Sequence, residues 1–347
     1  MDRTRRVADA ARALHGLALG DAFGEQWFVL RRRHPDPTER QARRIAPDAA
    51  FWQWTDDTAM ALSVLRILHL CDDVDQDALA AHFAASYEAD PHRGYGASMH
   101  GVLRAIREGE PWREVTRRQF EGQGSWGNGT AMRVAPLGAW HADAGLAHVA
   151  AEAERSAATT HAHPEAAAGA IAVAIAAALA TRGRDEPAPD PVEFLTEVAG
   201  HTPEGDVASG IRTASRLPAT SSVPHAVSVL GNGSRMSAPD TVPFALWTAA
   251  RRLDALEDAL WDTARGMGDV DTTCAITAGV VASRTGLRGI PDSWLAAREP
   301  LPTWVDTGGV LPRNRYRPGP LPVAAPAEPF GAGQQPGRIG RHEQTRP

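Results

Sequence analysis

Two short acidic stretches, far apart in the chain, contain the residues best suited to chemistry. In the first, Asp56 and Asp57 are adjacent and stand between two threonines; in the second, Asp269 and Asp271 precede a threonine pair. Each stretch comes directly before an apolar run, so each is predicted to begin a helix. Carboxylate and hydroxyl oxygens are hard ligands that suit Mg²⁺ or Mn²⁺ better than Zn²⁺. The pattern predicts that the two stretches meet at a divalent-cation site, which could be binuclear.

A purely structural interpretation of the same residues is helix capping. Thr and Asp accept hydrogen bonds from the unpaired N–H groups of a first helical turn, and the helix dipole keeps a carboxylate there charged. Charge density favours the cation instead, because adjacent carboxylates repel each other unless something neutralises them.

A glycine-rich loop follows in the middle of the chain. Residues 122–130 contain four glycines around Ser125, Trp126 and Asn128, a composition that can present successive backbone N–H groups to an anion. Neither standard nucleotide-binding spacing is present, and a flexible turn between helices is the alternative. His161 and His163 precede the next helix, where His161 could contact a substrate or cap the helix; no third ligand at a zinc spacing follows them.

The composition excludes several classes of function. The chain of 347 residues has a net charge of -6, which argues against a nucleic-acid-binding surface. It contains no lysine, which removes Schiff-base catalysis and the lysine of a phosphate-binding P-loop. Its two cysteines allow no disulfide framework, and the longest apolar run is too short for a membrane span. We expect a cytoplasmic, monomeric protein with no membrane or nucleic-acid partner.

Helical periodicity dominates the rest of the chain, and no convincing strands or repeats occur. A turn is predicted at residues 20–24 and a long polar loop at 31–48, and the helical pattern ends beyond Trp304. The Ala-rich helix at 165–181 is predicted to lie in the centre of a bundle. The predicted helices cover residues 7–21, 57–70, 76–89, 97–108, 144–158, 165–181, 191–199, 204–216, 223–230, 242–252 and 253–267, with another around Met132, Val134 and Leu137. We therefore expect one all-α domain over residues 1–311 and a disordered Pro/Gly/Arg-rich tail over 312–347.

Taken in order, several segments resemble the ADP-ribosylglycohydrolase family, which includes dinitrogenase reductase-activating glycohydrolase and the ADP-ribosylarginine hydrolases. The resemblance extends from about Leu14 to Trp294, and its two acidic motifs are the most specific. The matching segments are residues 16–24, Trp54-Thr55-Asp56-Asp57-Thr58, Gly127-Asn128-Gly129-Thr130-Ala131-Met132-Arg133, Thr160-His161, residues 242–247 and Gly268-Asp269-Val270-Asp271-Thr272-Thr273.

The resemblance implies an orthogonal helical bundle with two Mg²⁺ or Mn²⁺ ions in a cleft, acting on ADP-ribosylated protein or small-molecule acceptors. The implied metal ligands are Thr55, Asp56, Asp57, Asp269, Asp271 and Thr272. The implied contacts to ADP-ribose are Ser125, Trp126, Gly127, Asn128, Gly129 and His161. Asp57 or Asp271 would be the base in hydrolysis at the anomeric carbon.

One departure from the family pattern bears on the acceptor. Members of the serine-specific branch carry a functionally important Glu where this chain has Phe28, and Glu25 is out of register with it. This difference favours an arginine-type N-glycosidic substrate. Two alternative functions are a non-catalytic ADP-ribose-binding or crystallin-like protein and a two-metal phosphoesterase, which would release AMP from the diphosphate.

Overall fold

The computed structural model describes residues 2–33 and 38–307, and within them the only regular elements are helices. The first nine α-helices are α1 Arg3–Arg33, α2 Thr38–Ala42, α3 Asp56–Cys71, α4 Gln76–Ala89, α5 Ala97–Arg107, α6 Trp112–Arg117, α7 Ala135–Trp140, α8 Leu146–Ala158 and α9 Pro164–Arg182. The remaining eight are α10 Pro191–His201, α11 Asp206–Arg216, α12 Val223–Leu230, α13 Ala238–Arg251, α14 Leu256–Ala264, α15 Val270–Thr285, α16 Asp292–Ala297 and α17 Trp304–Thr307. No strand occurs in these ranges, so the all-α prediction is confirmed. The predicted tail, 312–347, lies outside the described residues.

Helices α1 and α15 form the central contact of the bundle. The turn predicted at residues 20–24 is wrong, because α1 continues through it without a break. Gly16, Gly20 and Gly24 recur every four residues and lie on one helical face. A Cβ atom on Gly20 would lie 2.2 Å from the Cys274 carbonyl oxygen of α15, and one on Gly24 only 2.5 Å from the Asp271 Cα. These glycines serve close helix packing, which leaves no local signature to separate them from turn glycines.

The Ala-rich helix α9 lies in the core, as predicted. The prediction that its apolar run is too short for a membrane span is wrong by length and composition, because the helix has 19 residues and is apolar enough; however, 78% of that stretch is buried inside the fold. Its small side chains let neighbouring helices approach closely: Gly169 lies against Ala238 and Val242 of α13. The apolar composition of α9 is therefore explained by burial within the protein.

Several short helices were missed because tertiary contacts define them. The predicted loop at 31–48 contains α2, where the buried Gln41 side chain donates to the Ala264 carbonyl oxygen at 2.8 Å. Helix α16 places Trp294 in an aromatic cluster with Phe23 and Trp52. The helix predicted around Met132 begins only at Ala135, with a proline in its first turn.

Candidate functional site

The first turns of α3 and α15 lie against each other, and this contact brings the two acidic stretches together. The Thr272 hydroxyl donates a hydrogen bond of 3.4 Å to Oδ1 of Asp57. Burial raises the pKa of Asp57, and the nearby charges of Asp271 and Asp269 raise it further. The structure therefore brings all six predicted metal-ligand residues together at one site.

Helix capping does not account for these carboxylates. In α3 the cap is Thr55, whose side chain accepts a 3.4 Å hydrogen bond from the Asp57 N–H. In α15 the residue at the cap position is Asp269, yet its side chain makes no capping hydrogen bond. The second carboxylate oxygen of Asp57, Oδ2, is buried and has no hydrogen-bond partner within the described structure. A buried acceptor without a donor is costly, so this oxygen needs a proton or a cation.

Asp21 is a member of the site that the sequence interpretation did not assign. It is fully buried on α1, and its carboxylate accepts bonds from the Thr55 N–H at 2.9 Å, the Thr58 N–H at 3.0 Å and the Thr58 hydroxyl at 2.5 Å. Asp21 thus fixes the backbone that carries Asp56 and Asp57. The signal that could have found it was the family resemblance of residues 16–24, a segment in which Asp21 is the one acidic residue.

Five carboxylates create an unusual concentration of buried negative charge. They belong to Asp21, Asp56, Asp57, Asp269 and Asp271. Burial raises the pKa of Asp56 to about 8, with Asp21 the next contributor, and burial raises that of Asp21 to about 6 despite its hydrogen bonds. The pKa values of Asp57 and Asp271 also lie well above the usual range, first because of burial and then because of the neighbouring aspartates. Without a cation the protein therefore holds protons here near neutral pH. A bound divalent cation would replace those protons.

Two arginines interact with the acidic turn, which is the first turn of α3 with Asp56 and Asp57. The Arg93 carbonyl oxygen accepts a 2.7 Å bond from the Asp56 N–H, and its guanidinium stacks 3.7 Å from the Trp54 ring while pairing with both oxygens of Glu299. Arg133 is completely buried and its charge attracts Asp56, but burial lowers its pKa to about 9. The contacts of Arg93 hold the turn in place before any ligand arrives.

Asn128 joins the glycine-rich loop to the acidic cluster. Its side-chain amide donates to Oδ2 of Asp269 at 2.6 Å and to the Thr241 hydroxyl at 3.0 Å. The side chain of Asn128, which was predicted to contact the substrate, therefore positions Asp269 through its amide nitrogen. The loop is also tied to the segment before α13, because the Asn128 N–H donates to the Met236 carbonyl oxygen and the Ala238 N–H donates to that of Trp126.

His161 packs inside the concave side of the loop. A Cβ atom on Gly127 would lie 3.0 Å from the His161 Nε2, and one on Gly129 would lie 3.2 Å from its Cε1, so only glycine fits without displacing the ring. Thr160 links the His161 Nδ1, at 2.7 Å, to the buried Arg133, at 2.9 Å. Burial and then the Arg133 charge lower the pKa of His161 to about 3, so the imidazole is neutral.

The other predicted loop residues divide into buried and exposed positions. Ser125 is buried, and its hydroxyl accepts a 3.2 Å bond from the Gly127 N–H, which shapes the turn. Trp126 is 52% exposed and borders a cavity of about 580 Å³, which Asn232 and Arg235 also line. His163, rather than His161, caps the next helix by accepting from the Glu165 N–H. The loop thus has a rigid inner face and one large aromatic ring open to solvent.

Known proteins of one family are similar to this chain along most of its length. The ADP-ribosylglycohydrolase family matches residues 2–316. ADP-ribosylhydrolase ARH3 from Homo sapiens is 31% identical over 326 residues, covering 81% of this chain and 86% of that protein. The Mus musculus ADP-ribosylhydrolase ARH3 is 30% identical, with 84% and 87% covered.

A solved structure described as an ADP-ribosylglycohydrolase-related protein complex shares the fold. It superimposes with a TM-score of 0.59 at 24% identity, covering 88% of this chain and 95% of that one. Sequence and fold therefore agree that the chain belongs to the ADP-ribosylglycohydrolase family, which makes it a hydrolase of ADP-ribose linkages.

Proposed function

We propose that this protein is a metal-dependent glycohydrolase that releases intact ADP-ribose from an arginine-type acceptor. The single observation that carries the metal dependence is the buried, unpartnered Oδ2 of Asp57 within a group of five carboxylates. Hard oxygen donors in this number fit Mg²⁺ or Mn²⁺. The residues that would hold the two cations are Thr55, Asp56, Asp57, Asp269, Asp271 and Thr272.

When bound, the cations would act as Lewis acids and neutralise the carboxylates. The chain's own residues determine the rest of the reaction. Asp57 and Asp271 are the two candidates to accept the proton of the attacking water, and each has a carboxylate oxygen oriented by Thr272: Asp57 accepts from the hydroxyl and Asp271 accepts from the N–H at 2.8 Å. The remaining carboxylate charge stabilises the positive charge that develops on the ribose as the glycosidic bond breaks.

The glycine-rich loop is suited to the diphosphate end of the substrate. Gly127 and Gly129 bring the backbone against the neutral ring of His161, and a loop of this composition can present backbone N–H groups to the phosphates. The exposed Trp126 ring and the adjacent cavity provide apolar surface and space for the nucleoside part. Asn128 connects this loop to Asp269, so nucleotide binding and the acidic cluster share one rigid support.

The proposed arginine-type acceptor rests on the end of α1. Glu25 lies one helical turn beyond Asp21; its side chain is 28% exposed, and its carboxylate lies 3.9 Å from the guanidinium of Arg32, which is 72% exposed and leaves the carboxylate accessible. This carboxylate adds negative charge beside the cluster and can attract a cationic guanidinium group. Phe28 adds an apolar side chain where the serine-specific branch has an acid, which removes one acidic group from the expected serine site.

The test compares ADP-ribosylated arginine with a serine-ADP-ribosylated peptide, each with Mg²⁺, with Mn²⁺ and with chelator. We expect release of ADP-ribose from the arginine substrate, activity lost with chelator, and no AMP by mass spectrometry. The variant Asp56→Asn/Asp57→Asn should lose at least about 100-fold in kcat/KM. Faster cleavage of the serine peptide would refute the acceptor assignment, and AMP as product would indicate a phosphoesterase.

A matched control separates the acidic cluster from acidic first turns in general. Glu257 and Asp258 are also adjacent acids in a first helical turn, that of α14, but they lie outside the cluster. The variant Glu257→Gln/Asp258→Asn should keep full activity. If the Asp56→Asn/Asp57→Asn variant retained normal turnover, the assignment of the site itself would be wrong.

A further inference from the structure

We infer that Asp73, His141 and His148 form a second metal site, with a preference for Zn²⁺ or a similar transition-metal ion. One ligand atom from each residue lies within 4.8 Å of the other two. Nε2 of His148 is 3.3 Å from Oδ1 of Asp73, and Nε2 of His141 is 3.9 Å from the same oxygen. Ligand atoms around a tetrahedral Zn²⁺ are about 3.3 Å apart, given bonds of about 2.0–2.1 Å. The His148 pair is already at that spacing, the His141 pair needs to shorten by about 0.6 Å, and the ligand atoms of the two histidines lie within 4.8 Å of each other.

An independent observation concerns His141. This side chain is only 2% exposed, and its Nε2 has no hydrogen-bond partner. That nitrogen faces Asp73 at a distance too long for a hydrogen bond. A buried imidazole nitrogen without a donor is the group that a metal ion would satisfy.

The backbone around Asp73 is fixed before any ion binds. On one side, the Asp72 carbonyl oxygen accepts from the Trp140 indole N–H at 2.9 Å. On the other, the Val74 N–H donates to Glu152 at 2.5 Å, and the Val74 carbonyl oxygen accepts from Arg155 at 2.6 Å. Trp140 at the end of α7 and two residues of α8 thus hold the segment that carries the carboxylate, while His141 directly follows α7 and His148 lies in α8. Such preorganisation is what a metal site requires of its supporting residues.

This site is separate from the acidic cluster in position and in chemistry. Asp56 and Asp57 begin α3, whereas Asp73 follows its last residue, Cys71. Sixteen helical residues span about 24 Å, so the two sites lie at opposite ends of α3. The acidic cluster offers only oxygen donors, whereas this one offers two imidazoles and a carboxylate, which suit Zn²⁺. Asp73 also lines a surface cavity of about 420 Å³, which gives an ion access.

The competing explanation is an ordinary ion pair between a protonated His148 and Asp73. The experiment titrates chelator-treated protein with Zn²⁺ by calorimetry under saturating Mg²⁺, which occupies the oxygen cluster, and repeats the titration with Co²⁺ followed by visible absorption. We expect one Zn²⁺ per chain and a higher Tm with Zn²⁺, because the ion binds only the folded state. We also expect the intense visible bands of Co²⁺ in a low-coordinate site.

His148→Ala and Asp73→Asn should each weaken Zn²⁺ binding by at least about 10-fold, in line with the loss of a site residue. Both side chains are partly exposed, so these variants should fold, with an unchanged Tm in chelator. The matched control is His201→Ala: His201 has a side chain 40% exposed, against 38% for His148, and lies 3.2 Å from Glu197. The metal-site proposal would be wrong if the wild type, His148→Ala and His201→Ala bound Zn²⁺ with equal affinity, or if no Zn²⁺ bound at all. The ion pair would then be the remaining explanation.

Discussion

At the scale of single residues, the site depends on carboxylates whose surroundings differ although their sequence settings look alike. Thr55 caps α3, which frees Asp56 and Asp57 from that role. Asp21 holds the same turn through three donors, and Asp269 is held by Asn128. Polar neighbours therefore position both the first turn of α3 and Asp269, which is the condition for a precise metal or substrate site.

The residue most informative to change is Asp21. In Asp21→Asn, the amide nitrogen cannot accept the hydrogen bonds of Thr55 and Thr58, so one or more of these donors loses its partner and the acidic turn shifts. We expect kcat/KM for ADP-ribose release to fall by about 100-fold, the loss typical of an ångström-scale misplacement. Steady-state kinetics check this, with Asp185→Asn, at a side chain 91% exposed, as a control that should match the wild type. Undiminished kcat/KM in Asp21→Asn would contradict the positioning role.

At the scale of helices, the distance between α1 and α15 determines how close Asp21 of α1 lies to Asp271 of α15. The glycine face of α1 allows backbone-to-backbone approach, and Asp21 and Asp271 occupy the two sides of that contact beside Gly24. Gly279 of α15 makes a similarly close approach to Ala135. A wider contact would separate the acids that share the site, so packing and catalysis depend on the same small residues.

This dependence predicts opposite results for two Gly→Ala substitutions in helices. The Cβ of Gly20→Ala would lie 2.2 Å from a backbone carbonyl oxygen, so we expect a cost of about 3 kcal/mol and reduced activity. Gly101, inside α5, has no atom within 4 Å of the added Cβ, so Gly101→Ala should gain about 0.5–1 kcal/mol with full activity. Urea unfolding and kcat/KM measure both effects. If Gly20→Ala were as stable and as active as Gly101→Ala, the close-packing argument would fail.

At the scale of the whole molecule, the acidic cluster joins distant parts of the chain around buried charge. The pKa of Asp56 is about 8 in the folded protein, against an ordinary value of 3.8, and those of Asp57 and Asp271 are raised as well. In the metal-free protein the folded state therefore binds more protons than the unfolded state, and stability falls as pH rises through the raised values. Buried histidines such as His161 have lowered pKa values and act in the opposite direction, but only below their ordinary value of 6.5.

The window from pH 6.5 to pH 8 isolates the carboxylates. With chelator, we expect Tm to fall across this window by about 5 °C, and Mg²⁺ at pH 8 should restore it because the cation replaces the lost protons. Thermal unfolding by circular dichroism checks the prediction. The Asp56→Asn/Asp57→Asn variant should show a smaller change with pH and with Mg²⁺. A Tm that rises from pH 6.5 to pH 8 in chelator would contradict the raised pKa values.

Much of the molecule could be predicted from local patterns. Helical periodicity identified most of the longer helices, and the composition of α9 indicated its central position. The two acidic helix starts and the glycine-rich loop could be selected because their residue types are chemically distinctive. In contrast, α2 and α16 depend on contacts of Gln41 and Trp294 with distant segments, and no short window of sequence contains such contacts.

The sequence by itself determined which groups are available: oxygen donors in two pairs, a loop of glycines, and an alternation of apolar and polar residues that forms helices. Only the tertiary structure decided which of these groups meet. It placed the Asp21 carboxylate against the backbone that carries Asp56 and Asp57. It also brought Asn128 into a hydrogen bond with Asp269, and His141 near Asp73. The physical reason is that residue type and helical spacing act over a few positions, whereas hydrogen bonds between helices depend on how closely their backbones pack.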